Sequence, residues 1–489
     1  TQLAARMWTP EDAESQPVPA ILEFIPYRRR DFTRVSDELH HRYIAGEGYA
    51  AVRCDLRGNG DSEGIFDDEY SQQELDDGYH VIEWLAAQPW CNGSVGMMGI
   101  SWGGFNCLQV AALKPPSLKA VYSVCSTDDR YADDVHYMGG CLLNDNLMWG
   151  ATMTTFAMRP PDPLVVGDRW HSMWMNRLDN MNNLVAHWLR HQTRDEQWRH
   201  GSICEAYDAI DAAVYAVGGW ADGYTNAIPR MMTNLSCPRK GLIGPWTHSY
   251  PWKANPKPDI DGLKDLVRWW NHWLKGIDTG MMDEPMLRMW MQESISPQTF
   301  YNKRPGRWIA EPTWPSKNIV PTRYFLNANG TLDRKPKRTD SASFVSEMLS
   351  GSTHGDWCPY GHETEMPSDQ REEDGRSLCF ETAPLKKALE ITGAGTVHLS
   401  IISDQAQTLL YVRLCDVAPD GASTRVTYGV LNLSHREDHS SPIPLSPNAP
   451  YTIDIQLNDI AHHFKKGHRI RLAVANNAWT LVWLSLIHI

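Results

Sequence analysis

Three widely separated residues have the types that nucleophilic catalysis requires: Ser101, Asp222 and His248. Ser101 lies in Gly99-Ile100-Ser101-Trp102-Gly103, after the apolar run from Val95 and before Phe105 to Leu113, which has helical spacing. A serine hydroxyl holds its proton tightly at neutral pH, so it attacks a carbonyl only when an imidazole takes that proton and a carboxylate orients the imidazole. Glycines on either side of the serine let a strand turn sharply into a helix, straining the serine backbone and exposing its hydroxyl. Asp222 ends Gly219-Trp220-Ala221-Asp222 and His248 ends Gly244-Pro245-Trp246-Thr247-His248, each just past an apolar run, Ala212 to Val217 and Lys240 to Ile243. Singly, Asp222 reads as an Asp-Gly turn residue and His248 as a turn-capping histidine. Jointly, at the ends of two expected strands, they read as acid and base. The tetrahedral intermediate also needs donors for its oxyanion. The Trp102 backbone N–H is one, and the second belongs to the loop after the early strand, where Pro26-Tyr27 lies.

These positions call for a parallel sheet. Leu3 to Trp8, Ala20 to Ile25, Tyr49 to Asp55 and Lys119 to Val124 read as further strands, and Asp37 to Ala45 and Asp76 to Gln88 as intervening helices. In open sheets of this kind ligands bind beyond the C-terminal strand ends, where all three residues fall. The loop Arg57 to Gly64 is glycine-rich, yet it has neither Gly-Lys-Ser/Thr nor Gly-x-Gly-x-x-Gly, which removes nucleotide binding. Asp128 to Ser202, rich in Met, Trp, Asn and charge, reads as a helical insertion over the site. Its Asp128, Asp129, Asp133 and Asp134 could hold a substrate amine, but a solvated acidic face is the simpler reading. Leu266 to Leu274, with Trp269, Trp270 and Trp273, reads as an amphipathic helix packed on the sheet. Past Pro285 come a hairpin at Tyr324 to Leu332 and strand-like runs near 396–402, 409–414, 425–433, 451–457 and 470–475, which suit a jelly-roll sandwich. Lys337 to Arg376 reads as a polar surface excursion. The expected organisation is α/β, with a catalytic domain of residues 1–127 and 206–290, a helical cap of 128–205 and a β-sandwich of 291–489.

A chain of 489 residues with 42% hydrophobic and 21% charged residues has the composition of a multidomain globular protein. Its net charge of −13 opposes nucleic-acid binding, and Arg28-Arg29-Arg30 reads as solvated loop charge. The ten cysteines are scattered without a Cys-x-x-Cys pair, which indicates neither a zinc ribbon nor a disulfide framework and points to a reduced, cytoplasmic setting. No apolar run approaches a membrane span. The pairs His40-His41 and His462-His463 lack a metal-ligand pattern and read as surface or interface residues. The 21 tryptophans suit core packing and aromatic-lined pockets.

Taken with Asp55-Leu56-Arg57-Gly58 and Ser62-Glu63-Gly64, the Ser101, Asp222 and His248 motifs resemble the CocE/NonD hydrolases, a group that includes cocaine esterase, α-amino acid ester hydrolases and X-prolyl dipeptidyl aminopeptidases. The order Ser, Asp, His is that of α/β-hydrolases. The resemblance spans nearly the whole chain. It implies an α/β-hydrolase core with helical cap and C-terminal jelly roll, cleavage of an ester or amide in a small molecule or short peptide through an acyl-enzyme, and no metal or organic cofactor. It further implies that the Tyr27 hydroxyl completes the oxyanion hole and that Trp149 and Tyr224 line the acyl pocket. An X-prolyl dipeptidyl aminopeptidase is the alternative, and a noncatalytic relative, disfavoured by the intact triad, is a third; a homo-oligomer is left open. The resemblance also implies a sandwich continuing past Ala475 to Trp479, so Ser485 to Ile489 reads as a truncated or foreign end.

Overall fold

Val18–Ile25 (β2) and Ala50–Asp55 (β3) are buried along nearly their whole length, as expected of parallel strands covered by helices on both faces. A computed structural model of the chain describes residues 1–31, 33–337 and 340–484. The first strand, Ala5–Trp8 (β1), runs antiparallel to β3. Arg34–Gly46 (α1) and Gln72–Ala86 (α2) precede Cys91–Ile100 (β4), Trp102–Ala112 (α3) and Leu118–Val124 (β5). The chain then leaves the sheet for a short hairpin, Tyr137–Met138 (β6) with Cys141–Leu142 (β7), and the helices Asp145–Met158 (α4), Pro163–Val166 (α5), Trp170–Asn180 (α6), Leu184–Trp188 (α7) and Glu196–Arg199 (α8). It returns as Ala213–Gly219 (β8), Ala227–Asn234 (α9), Arg239–Gly244 (β9), Gly262–Lys275 (α10) and Leu287–Glu293 (β10). The strand order is β1-β3-β2-β4-β5-β8-β9-β10, parallel from β3 onward. The ends of β4, β8 and β9, followed by Ser101, Asp222 and His248, therefore open on the same edge.

Two helices show why the sheet is so fully covered. Every residue of α3 from Trp102 to Ala111 is buried, so this helix is central, and its two polar side chains, Asn106 and Gln109, donate to the Phe24 and Gly201 carbonyls. On α10, Leu266, Trp269, Trp270 and Leu274 recur at helical spacing and are buried, as their periodicity foretells, and Gly276 closes the helix in the left-handed region at φ 66°.

The C-terminal part is β-rich, as expected. Gly306–Glu311 (β11) pairs with β10; then come the hairpin Phe325–Asn327 (β12) and Thr331–Asp333 (β13), the short helix Arg371–Gly375 (α11) and the strands Leu378–Glu381 (β14), Leu389–Gly393 (β15), Thr396–Ile402 (β16), Leu409–Val417 (β17), Ser423–Asn432 (β18), Pro450–Gln456 (β19), Ile460–Phe464 (β20) and Arg469–Ala475 (β21). Strands β12-β13-β14-β21-β17-β18 make one sheet and β16-β19 a second, with Val412, Leu472, Ile453 and Ile455 in a core of their own. Sequence periodicity passes over β20 and β15, which extend the large sheet by pairing β20 with β10 and β15 with β20. The two parts are thus joined by main-chain hydrogen bonds. The expectation for Ser485 to Ile489 lies outside the described residues.

Candidate active site

Ser101 occupies the turn from β4 to α3 with φ 58° and ψ −125°, a conformation costing roughly 1–3 kcal/mol that persists only where the surroundings enforce it. They do: the Ser101 N–H donates to the Val124 carbonyl at 2.9 Å, and the Phe105 N–H to the Ser101 carbonyl at 2.9 Å. A Cβ added to Gly99 would stand 2.5 Å from the Gly103 carbonyl carbon, so the absent side chain is what lets strand and helix approach.

Beyond β8, the Trp220 N–H donates to Gly244 O and the Ala221 N–H to Trp246 O, lacing this loop to the one after β9. That brings Asp222 Oδ1 to 3.0 Å from His248 Nδ1, with both residues buried. Asp222 holds Nδ1, leaving Nε2 as the ring nitrogen available to a nucleophile. The Tyr27 hydroxyl lies within hydrogen-bonding reach of the Ser101 side chain and the Trp102 backbone N–H, and burial raises its pKa well above the usual phenol range, so it stays a neutral donor. Asp55 braces its loop: Asp55 Oδ1 accepts the Arg29 N–H at 2.6 Å, and the carboxylate also faces the Arg29 guanidinium at 3.3 Å and the Asp61 N–H at 3.1 Å. Arg28 and Arg29 are accordingly buried rather than solvated, which corrects the reading of the arginine run. The indole of Trp102 is fixed from below by Glu74 Oε1 at 2.6 Å.

Trp149 meets Tyr27 edge-on at 6.2 Å and donates its indole N–H to Glu69 Oε2 at 3.2 Å. Tyr224 lies 5.7 Å from the His248 ring and donates to Asp134 Oδ1 at 3.2 Å. Glu69 also takes Arg130 at 2.9 Å and His136 at 2.6 Å, all three fully buried. Burial alone would raise the Glu69 carboxyl, but His136 and Arg130 hold it down at about 2. Asp134 goes the other way, pushed up to about 6 by burial and by neighbouring Glu69, partly countered by His136 and Arg130.

The acidic group is no solvated face. Asp128 and Asp133 are buried and clamp Arg230, with Asp133 Oδ2 at 2.7 Å from it, and Asp129 faces Arg194 at 3.3 Å. Asp134 is buried too and accepts from the Tyr224 hydroxyl through Oδ1, while its Oδ2 has no hydrogen-bond partner among the described residues. The histidine pairs also differ from expectation: His40, His41 and His462 are buried, His41 facing Glu23 at 3.1 Å and His462 facing Asp416 at 3.0 Å. The larger correction concerns Lys337 to Arg376. Its Trp357 and Cys358 are buried against the site: Pro359 O accepts the His248 N–H at 2.8 Å, and Tyr360 meets the His248 ring edge-on at 5.3 Å. No local pattern could reveal these contacts, because the segment's polarity reflects its other residues.

Fold and site together define a serine hydrolase of the α/β-hydrolase fold. Residues 1–250 match the X-Pro dipeptidyl-peptidase (S15) family and residues 279–486 match that family's C-terminal non-catalytic domain, and the chain belongs to this family. It is 26% identical to a Mycobacterium tuberculosis protein provisionally named a serine esterase, over 90% of this chain and 80% of that protein, and 24% identical to the cocaine esterase of a Rhodococcus species, over 97% and 88%. Among solved structures, an α-amino acid ester hydrolase aligns with TM-score 0.74 and 22% identity over 98% of this chain and 88% of its own. A CocE/NonD family hydrolase from Staphylococcus aureus aligns with TM-score 0.73 and 18% identity over 97% and 83%. Among the described residues, no helix is long and apolar enough to cross a membrane.

The buried charge behind Trp149 yields a stability prediction. Glu69→Ala removes the carboxylate facing Arg130 and His136 and leaves buried charge uncompensated, a loss of about 3–5 kcal/mol. Urea unfolding of the variant should show a loss of that order; a midpoint and slope matching the parent would contradict this account of the cluster.

Proposed function

We propose that the chain hydrolyses carboxylic esters of small molecules, with Ser101 as nucleophile, His248 as general base and Asp222 as the orienting acid. Ser101 Oγ attacks the carbonyl carbon while His248 Nε2 takes the hydroxyl proton. The oxyanion receives the Trp102 N–H and the Tyr27 hydroxyl, and the imidazolium returns its proton to the leaving oxygen. Water then repeats the sequence on the acyl-enzyme. The carrying observation is the convergence at one sheet edge: a strained serine with a neutral phenol on it, and a buried carboxylate on the histidine. Trp149 and Tyr224 would wall the acyl group. The test is turnover of a p-nitrophenyl acyl ester series beside Gly-Pro and Ala-Pro nitroanilides. Ester turnover should dominate, falling about 10²–10³-fold in kcat for Tyr27→Phe and about 10⁴-fold for Asp222→Asn. Cleavage of the nitroanilides alone would overturn the ester reading.

One observation favours a second reading, an acyl group that carries an amine, as an X-Pro dipeptide does. Asp134 accepts from Tyr224 through Oδ1 and keeps a buried Oδ2 without a hydrogen-bond partner among the described residues, and on this reading a protonated substrate amine reaching it would compensate its charge. The carboxyl is pushed up to about 6, so its charge is present above that pH and is lost as pH falls through it. On this reading KM for amine-bearing substrates rises as pH drops from 7 to 5, that for neutral acyl esters does not, and Asp134→Asn abolishes the difference. Equal pH dependence for the two substrate classes would rule the amine subsite out.

A further inference from the structure

The carboxylate of Asp222 is held in an unusual way. Among the described residues, Oδ1 accepts from His248 Nδ1 at 3.0 Å and from the Cys358 thiol, with Sγ at 3.7 Å, while Oδ2 has no hydrogen-bond partner. No backbone N–H among them donates to either oxygen. A buried carboxylate with so few donors depends on each of them for where Oδ1 points. A second thiol stands nearby: Cys125 Sγ, an Asp222 oxygen and a His248 ring nitrogen all lie within 4.8 Å of one another. Cys125 directs its S–H to the Ser249 carbonyl at 3.8 Å and also bears on the Asp222 carboxylate, while Cys358 is the thiol that donates to Oδ1, at 3.7 Å.

Cys358 is itself fixed. Trp357 packs on Gly223, where an added Cβ would come within 2.7 Å of the indole, and meets Tyr224 edge-on at 5.2 Å. On its other side, Pro359 O takes the His248 N–H. One short segment, 357–360, therefore touches both the acid and the base. It lies inside the part of the chain that matches the family's non-catalytic domain.

We propose that Cys358 is a positioning residue for catalysis: its thiol donates to Asp222 Oδ1 and aims the carboxylate at His248 Nδ1, so that the C-terminal part of the chain completes the catalytic acid. This rests on the triad reading of Asp222 and His248. Losing the donor lets the carboxylate turn away, which weakens imidazolium stabilisation in the transition state without touching ground-state binding; kcat falls and KM holds.

The experiment measures kcat and KM on a p-nitrophenyl ester for Cys358→Ala, Cys358→Ser and, as a remote buried thiol, Cys237→Ala. Cys358→Ala should lose about tenfold in kcat. Serine, which keeps a donor with a shorter reach, should recover at least half of that loss on a logarithmic scale. KM should stay within about twofold throughout, and Cys237→Ala should match the parent. Should the alanine variant fail to fold, Cys358→Val supplies the donor-free comparison. A donor-free variant with parental kcat would overturn the proposal, and so would serine falling as far as alanine, which would make packing the cause. Asp222→Asn in the same assay separates the two readings. If it keeps parental turnover, the triad reading fails; if it is inactive while the donor-free variant is parental, only the role of Cys358 fails.

Discussion

The close approach of Gly99 to the Gly103 backbone is the contact on which the rest of the site depends. It lets β4 turn into α3 within one residue, and that turn forces Ser101 to positive φ and lifts its hydroxyl off the sheet. The strain is balanced by main-chain hydrogen bonds to β5 and within α3, and by the complete burial of α3. Once the serine is placed, the same turn aims the Trp102 N–H beside it. What remains is to bring a phenol and an imidazole to that point, and the parallel sheet does so because β2, β4 and β9 all end on the same edge.

Charge inside the structure is managed by pairing rather than by exposure. Asp55 with Arg29, Glu69 with Arg130, and Asp128 and Asp133 with Arg230 each brace an irregular segment next to the site. Asp134 joins the Glu69 group, where His136 and Arg130 partly offset its burial. Its Oδ1 accepts from Tyr224 and its Oδ2 has no hydrogen-bond partner among the described residues.

The strands and the turns that carry Ser101, Asp222 and His248 are legible in the chain because they rest on short-range signals, apolar runs, glycine turns and helical spacing, whereas the role of Tyr27 rests on the resemblance to a family. The acidic group around Asp128 is not legible, because its partner Arg230 is 102 residues away, and a run of aspartates reads the same whether solvated or clamped. The segment around Cys358 was hidden for the same reason. It is 136 residues from Asp222, and its few buried residues are diluted by polar neighbours. The joining strands β20 and β15 are not legible in the sequence, since short strands carry little periodic signal, and their pairing is set by β10 at the sheet edge. The buried His40 and His41 show the same limit, since only their contact with Glu23 on β2 distinguishes them from surface residues.

The central claim is that Ser101 is the nucleophile of an acyl-transfer site. Its most direct test is peptide mapping by mass spectrometry after reaction with a fluorophosphonate, which traps an activated serine covalently. The account predicts one phosphonylated serine per chain, on the peptide holding Gly99-Ile100-Ser101-Trp102-Gly103, and no adduct after His248→Ala. An adduct on another serine, or none on the parent protein, would contradict it.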